Sequence, residues 1–355
     1  MNYINTCDKI FRQLLFLLPP ETAHNVTILL LKKIPSRTLE ELPNSLNINF
    51  FGQKISNPVG LAAGFDKNAE VMRSMRSFGF GFLEVGTVTK YPQYGNKKPR
   101  IIRLIKERGL INKLGFNNKG IEYLLTQINN FKLNNCVFGV NIGKNNTSGN
   151  IIDDYVDLVK KLYGKSSYIA INISSPNTPH LRNLHNKEAL SELLQAITIT
   201  CNAIKSDNVI TRIMLKISPD IDDQTKENIA ELVLTYKIDG LIVSNTTISR
   251  DHLYDYKHTI GGVSGTPLFK LSTELLQDMY TLTKGKIFII GCGGISNGSE
   301  AYMKIKSGAS AVQLYTAFIY QGPQVINTIN LELAALLRRD GFVNITDAVG
   351  CNCKF

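Results

Sequence analysis

Asparagines, small hydroxyls and lysines stand at the C-terminal ends of eight short apolar runs in this sequence, with hardly an acid among them. In chain order these ends carry Ala63, Gly64 and Lys67, then Thr87, then Asn141 and Lys144. Next come Asn172, Ser174, Ser175 and Asn177, then Lys216, then Ser244, Asn245 and Thr246. The last two ends carry Gly291, Gly293 and Gly294, then Tyr315 and Thr316. One such residue is unremarkable. The whole set describes a site for a planar, anionic ligand rich in hydrogen-bonding groups, such as a flavin or a pyrimidine.

Two local features sharpen this. Gly261-Gly262-x-x-Gly265, Gly293-Gly294-Ile295 and Tyr315-Thr316 fall around the last two runs, where bare backbone N–H groups can cradle a phosphate. In Ala170-Ile-Asn-Ile-Ser-Ser-Pro-Asn-Thr-Pro179, two prolines stiffen a loop that holds Ser175 beside Asn172 and Asn177. An ordinary turn would also account for that loop. The five histidines (His24, His180, His185, His252, His258) lie outside these strand-end motifs, so no Ser-His-Asp set is assembled. No clustered His, Asp or Cys spacing argues for a metal, and none is expected.

The elements that must position these residues follow from periodicity. The runs are Val59–Ala63, Phe82–Val85, Val137–Val140, Tyr168–Ile173, Ile213–Ile217, Leu241–Val243, Ile287–Ile290 and Ala311–Leu314. Helical patterns such as 188–204 and 226–236 lie between most of them. Near-continuous apolar strands alternating with helices predict a buried parallel sheet, and eight units favour a closed α/β (β/α)8 barrel. In a barrel, working residues sit at the C-terminal strand ends, as here. Before the barrel, two short amphipathic helices are predicted around Pro19-Pro20, and residues 46–56 read as a hairpin capping the barrel floor. The expected division is an annex over 1–40, a barrel over 41–350 and a tail over 351–355. The annex either packs on the barrel side or lies in a membrane interface.

Forty Lys and Arg against 29 Asp and Glu leave the chain at +11. The excess concentrates between Gly86 and Lys119, where nine basic residues face one acid. That window suits a nucleic-acid patch, an anionic lipid surface or a rim for small anionic substrates, or it reflects a general lysine habit. Aromatic RNA-binding signatures and zinc-finger spacings are missing, which places nucleic acid last. No apolar run approaches the ~20 residues of a membrane span, no secretory or targeting segment is evident, and six scattered cysteines suit a reducing cytoplasm. Cys351-x-Cys353 lacks a second pair or a neighbouring histidine.

Taken together, LAAGFDKN (61–68), EVGTVT (84–89), GNKKPRIIRL (95–104), GLINKLGFNN (109–118), NIGKN (141–145), AINISSPNTP (170–179), LKISPD (215–220), SNTT (244–247), GGVSGTPL (261–268), IIGCGGI (289–295) and LYTAFIYQGP (314–323) resemble the motifs of dihydroorotate dehydrogenases. The resemblance covers the whole barrel and the N-terminal helices, and it continues through RRDGFVNITDAVG (338–350). It points to the class 2, quinone-dependent branch, because the loop residue is Ser175 where the soluble class carries cysteine, and the helical annex is present.

What the resemblance implies is oxidation of (S)-dihydroorotate to orotate in pyrimidine (UMP) biosynthesis, with one non-covalent FMN and ubiquinone or menaquinone as acceptor. The flavin phosphate would lie near Gly265, Gly294, Tyr315 and Thr316, and its ring near Ala63, Gly64, Phe65, Asp66, Lys67, Thr87, Asn141, Asn172, Lys216 and Ser244. The substrate would meet Lys67, Asn112, Lys113, Leu114, Gly115, Phe116, Asn172, Asn177, Asn245 and Thr246. Ser175 is the implied base for the C5 proton, with relay through Thr178 or water. His24, Arg103 and Tyr315, with Ile319 one turn on, would line the quinone site. A peripheral location on the cytoplasmic face of the cell membrane is implied, with no nucleic acid and no obligate protein partner.

The chain departs from the family's pattern in a few places. Lys113-Leu114 stands where Arg-Met or Arg-Tyr is usual, so those side chains are not expected to be main contacts. Ser244 replaces a threonine, Cys292 replaces a small aliphatic residue, and residues 351–355 extend past the usual end. The rival readings are a soluble class 1 enzyme and a tRNA dihydrouridine synthase-like barrel, and both would want a cysteine in the active-site loop.

Overall fold

The structure is a computed structural model that describes residues 11–35, 41–131, 136–179, 181–206, 210–251 and 253–354. The described strands are β1 (Ile48–Phe50), β2 (Gln53–Ile55), β3 (Val59–Leu61), β4 (Phe82–Val88), β5 (Ile101–Leu104), β6 (Gly109–Asn112) and β7 (Val137–Ile142). They continue with β8 (Tyr168–Asn172), β9 (Arg212–Ile217), β10 (Gly240–Val243), β11 (Gly262–Gly265), β12 (Phe288–Cys292) and β13 (Ala311–Leu314). Eight of them close a parallel barrel in the order β3-β4-β7-β8-β9-β10-β12-β13. These are the eight apolar runs of the sequence.

Every residue of β4, β8, β10 and β13 is buried. A strand covered by helices outside and by barrel side chains inside needs that continuous run rather than alternation. Inside the barrel, small residues face large ones. A Cβ on Gly60 would lie 2.4 Å from the Phe82 ring, and one on Gly139 would lie 2.1 Å from Tyr168. The two aromatic rings therefore fill space that only glycine leaves open.

The hairpin expected at 46–56 is β1–β2, paired antiparallel. Its Phe50 ring sits 5.1 Å from Phe82, 5.7 Å from Tyr168 and 5.0 Å from Phe288, the first residues of β4, β8 and β12. One aromatic plug thus closes the barrel floor and leaves the opposite, C-terminal end as the mouth. Four of the described outer helices begin on side-chain caps. Asn186 accepts from the N–H groups of Glu188 and Ala189 ahead of the helix Lys187–Ile204, and Asp222 accepts from that of Thr225 ahead of Asp223–Thr235. The second helix therefore starts three residues before its apolar periodicity does, because the cap decides where it begins.

A three-stranded antiparallel sheet, β5–β6–β11, was not anticipated from the sequence. It packs its own small core of Leu104, Ile111, Leu253 and Val263. The glycines Gly262 and Gly265, read as a bare loop, are the two ends of β11 and pair with β6.

The annex is two helices, over 11–17 and Pro20–Leu31, with Pro20 at the first helical position of the second. Its fastenings to the barrel are apolar at Leu31, Ile28 and Ile34, which join the main core, and polar elsewhere. Arg100 grips Glu21 with two hydrogen bonds, Arg12 reaches the carbonyl of Tyr320, and Lys32 pairs with Glu70. Arg103 donates to the carbonyls of Leu15, Phe16 and Leu18 and lies over the Phe16 ring. It thus caps the C-terminal end of the first helix, where free carbonyls and the helix dipole favour a cation. Leu14, Leu17 and Leu29 remain 57%, 81% and 61% exposed. Of the nine basic residues in the window, Lys98, Arg100 and Arg103 hold the annex.

Candidate active site

The barrel mouth holds a cavity that brings together residues from seven of the eight strand ends, β7 being the exception. Ala63, Gly64, Lys67, Thr87, Asn172, Ser175, Asn177, Lys216, Ser244, Asn245, Thr246, Gly265, Gly294, Tyr315 and Thr316 line it, with Asn112, Leu114, Gly115 and Phe116 from the segment around the capping sheet. Asn141, Phe65, Asp66 and Lys113 do not line it. Asn141 is fully buried beneath the wall, where its Oδ1 accepts from Thr87 (2.6 Å) and Asn172 (3.0 Å). Asp66 accepts from the N–H groups of Glu70 and Val71 at the entrance to the helix Met72–Ser77. Burial, offset in part by those two bonds, raises its pKa to about 6. Lys113 faces a second groove on the outer side of the Ser175 loop.

The asparagines form a chain. Asn172 accepts from the Ser174 hydroxyl (3.0 Å), Asn245 donates to that hydroxyl (2.9 Å), and Asn177 donates to the carbonyl of Asn112 (3.0 Å). This last bond joins the Ser175 loop to β6, so the capping sheet sets where Asn112 stands. Arg182 ties the same loop to the next one, donating to the carbonyls of Ser174 and Thr246 while paired with Asp220. Ser175 is 7% exposed, and its Oγ accepts only a long 3.3 Å bond from the Asn177 N–H. Thr178 Oγ1, three residues on, is buried without a partner.

The donor set fits a bound planar anion. Asn117 Oδ1 and Gln313 Oε1 are also buried and unpaired, and both residues line the cavity. Unsatisfied buried polar atoms are costly, so their clustering marks a place where a ligand completes the bonding. Gly293 and Gly294 have φ of +115° and +81°, and a Cβ on Gly294 would lie 2.4 Å from Phe269 Cα. The backbone there is bare by necessity. Behind it Lys304 is completely buried, donating to Ser272 (2.9 Å) and Thr273 (3.0 Å) in the first turn of the helix Phe269–Leu282. Burial pulls its pKa down to about 7, with no carboxylate bonded to it to offset the cost.

Three residues around the floor of the site were not singled out in the sequence. Glu84 on β4 is fully buried, and it accepts from Asn141 (2.9 Å), Tyr168 (2.9 Å) and Gln313 (2.8 Å). Its carboxylate stands 3.7 Å from Lys216 Nζ. A signal was present: a Glu in FLEV and a Gln in AVQL interrupt strands that are otherwise apolar.

A second cavity, of about 590 Å³, opens between the annex and the barrel. His24, Arg103, Tyr315 and Ile319 line it, among apolar neighbours that include Leu15, Phe16, Ile28 and Phe318. Lys67, Ile101, Leu110, Leu114, Asn117 and Tyr315 belong to both cavities and form a common wall. Arg103 is committed to the first annex helix, so its donors are less free than the sequence suggested. The His24 ring lies edge-on to Phe65, and burial together with the Lys67 charge lowers its pKa to about 3.

His185 stands just beyond the Ser175 loop in the turn Leu181–His185, and it fastens the loop to the end of β9. Its Nδ1 donates to the carbonyl of Arg182 (3.1 Å), and Nε2 accepts from the Ser218 N–H (3.2 Å), which requires the neutral ring. Burial, with the Arg182 charge, lowers its pKa from 6.5 to about 4. The unfolded chain takes up this proton first, so stability is full above pH 6.5 and falls as the pH drops toward 4, by about 3 kcal/mol in total. Thermal unfolding recorded from pH 7 to 4 should show this slope together with a like contribution from the buried His24, and His185→Gln should reduce it without abolishing it. An unchanged slope in the variant would assign the pH dependence elsewhere. His180 and His252 lie outside the described residues.

Comparison with known proteins agrees with this geometry. A family profile described as dihydroorotate dehydrogenase matches residues 45–337. The chain is 45% identical over 345 residues to the dihydroorotate dehydrogenase (quinone) of Parvibaculum lavamentivorans, covering 96% of this chain and 97% of that protein. It is 43% identical over 340 residues to the mitochondrial dihydroorotate dehydrogenase (quinone) of Oryza sativa, covering 88% and 72%. Among solved structures, the Eimeria tenella DHODH in complex with ferulenol superposes with a TM-score of 0.90 at 39% identity, covering 96% of this chain and 98% of that one. Neither the soluble-class nor the dihydrouridine synthase alternative is favoured by these names. A closed eight-stranded barrel, a Ser175 loop over its mouth and full-length relatives bearing one name lead to the same place: the chain belongs to the dihydroorotate dehydrogenase family, in its quinone-dependent branch.

Proposed function

We propose that this chain oxidises (S)-dihydroorotate to orotate at the barrel mouth and passes the electrons to a membrane quinone held between the annex and the barrel. The observation that carries this reading is the common wall: one polar cavity around Ser175 and one largely apolar cavity under the helices meet at Lys67, Leu114 and Tyr315. FMN, when bound, supplies the two-electron chemistry, accepting hydride from the substrate and returning electrons to the quinone. Gly265, Gly294, Tyr315 and Thr316 would hold its phosphate, and Thr87, Asn172, Lys216 and Ser244 would hold its ring.

Asn112, Asn177, Asn245 and Thr246 bind and orient the substrate's amide edges, and Lys67 meets its carboxylate. Burial lowers the Lys67 pKa to about 8, with Glu21 and Asp66 opposing the shift, so the side chain remains a cation at neutral pH. The capping sheet and the Ser175 loop shut water out above the substrate. Ser175 Oγ takes the C5 proton and releases its own hydroxyl proton to Thr178 Oγ1 or a water. Lys113, at the outer groove with Lys97 and Arg182, would face the substrate's approach rather than its bound position.

Among the described residues no helix is long and apolar enough to cross a membrane. A peripheral seat on the cytoplasmic face of the cell membrane, with the annex in the lipid interface, accords with the exposed leucines of both helices. Purified protein should be yellow with one FMN per chain, bleach with dihydroorotate under anaerobic conditions, and recover its colour with quinone. A colourless protein that takes up no FMN would sink the reading.

A further inference from the structure

The floor of the proposed flavin site is a buried charge pair that binding alone does not explain. Lys216, at the end of β9, is 5% exposed and lines the mouth cavity. Its ammonium lies 3.7 Å from the carboxylate of Glu84, which is closed off from solvent inside the barrel. Three donors hold that carboxylate: the Asn141 amide, the Tyr168 hydroxyl and the Gln313 amide. The Tyr168 phenol is itself pushed well above its ordinary pKa, first by burial and then by Glu84, and so stays a donor. A barrel interior can be packed with aliphatic side chains, and a buried ion pair gains little or nothing in stability over such a core. The charge is therefore better explained by what it does to the site above it.

We infer that Glu84 sets how much of the Lys216 positive charge the bound flavin experiences, and thereby sets the reduction potential of the site. The inference rests on the flavin reading of the mouth cavity. Reduction adds electrons and hence negative charge to the ligand, and a fixed cation beside it favours the reduced form. A carboxylate 3.7 Å behind that cation cancels part of its field, with little screening in a water-excluded interior. Glu84 therefore holds the potential down. That matters for a site with two partners: a potential too high would take electrons readily from the substrate and release them poorly to the quinone. Glu84 is a positioning residue here, acting through Lys216.

The test is the midpoint potential of bound FMN in the holoenzyme, measured at equilibrium against a reference dye. Glu84→Gln keeps the shape and removes the charge. Gln313 can turn its amide to receive the new donor, since its Oε1 has no partner at present. The equilibrium between the two-electron forms should move toward the reduced one by at least about tenfold, roughly 30 mV for a two-electron couple. Reoxidation by quinone should slow more than reduction by dihydroorotate. Tyr168→Phe removes a hydrogen bond of the same network but leaves the charge, and it should not raise the potential. A rise of equal size in Tyr168→Phe would make the effect one of packing and overturn the inference, as would an unmoved potential in Glu84→Gln. Should Glu84→Gln fail to accumulate, Glu84→Asp draws the carboxylate back by one methylene and should give a smaller rise, whose absence also overturns it. An unmodified protein that takes up no FMN overturns the underlying reading and the inference with it; normal uptake with an unmoved potential overturns the inference alone.

Discussion

Ser175→Ala is expected to leave a yellow protein whose flavin dihydroorotate reduces at least ~10²-fold more slowly, the low end for loss of a general base. The expectation comes from what surrounds the hydroxyl. Ser175 lines the mouth cavity on a loop pinned at several points, by Asn177 to β6, by Arg182 to Ser174 and Thr246, and by His185 to Ser218. A loop so held does not depend on one hydroxyl for its shape, so FMN uptake and melting temperature should stay near those of the parent. A serine is a weak base near its free pKa and needs somewhere to send its own proton. Thr178 Oγ1, three residues on, is buried and unbonded and so has a place to take it. Thr178→Val should therefore slow the same step, and Ser175→Cys should retain more activity than alanine because a thiol can also accept the proton. Rapid-mixing measurements of flavin bleaching, with quinone omitted, isolate this half-reaction. A parental rate in Ser175→Ala would move the base elsewhere.

The second large effect is expected from the annex. Replacing Leu14, Leu17 and Leu29 with glutamine should weaken binding to lipid vesicles by about 100-fold, taking roughly 1 kcal/mol of lost interfacial burial per leucine. Turnover with a long-chain quinone should fall with it, while reduction by dihydroorotate should persist. The logic is that the contacts fastening the two helices to the barrel leave these leucines outward. Removing residues 1–38 altogether should separate the half-reactions in the same direction, with a further loss because the lining supplied by Phe16, His24 and Ile28 goes too. Vesicle flotation and quinone kinetics on the triple variant check this. Unchanged partition and unchanged quinone turnover would make the helices simple packing against the barrel.

Much of this protein was legible along the chain, because the signals are local. A strand buried on both faces must be apolar throughout, so eight such runs announce eight strands, and all but β7 carry a cavity-lining residue at or just past their C-terminal end. The Ser175 loop and the paired glycines before α-helical patterns are local in the same sense. The proline turn likewise marks the junction of the annex helices, whose outward leucines show as an apolar face with no partner nearby.

What only the tertiary structure decided depends on residues far apart in sequence. Asn112 stands opposite Asn177 because β6 pairs with β11, 150 residues on, and four-residue strands carry too little periodicity to reveal the pairing. The sequence resemblance places Arg103 only at the quinone site, and the structure also brings the carbonyls at the end of the first helix within its reach. Glu84, Tyr168, Gln313 and Lys216 come from four different strands, and barrel closure alone makes them one buried network. Sequence pattern determines which face of an element avoids water. Which distant polar groups then share that interior, at what separation and with which charge left uncancelled, is settled only when the strands close.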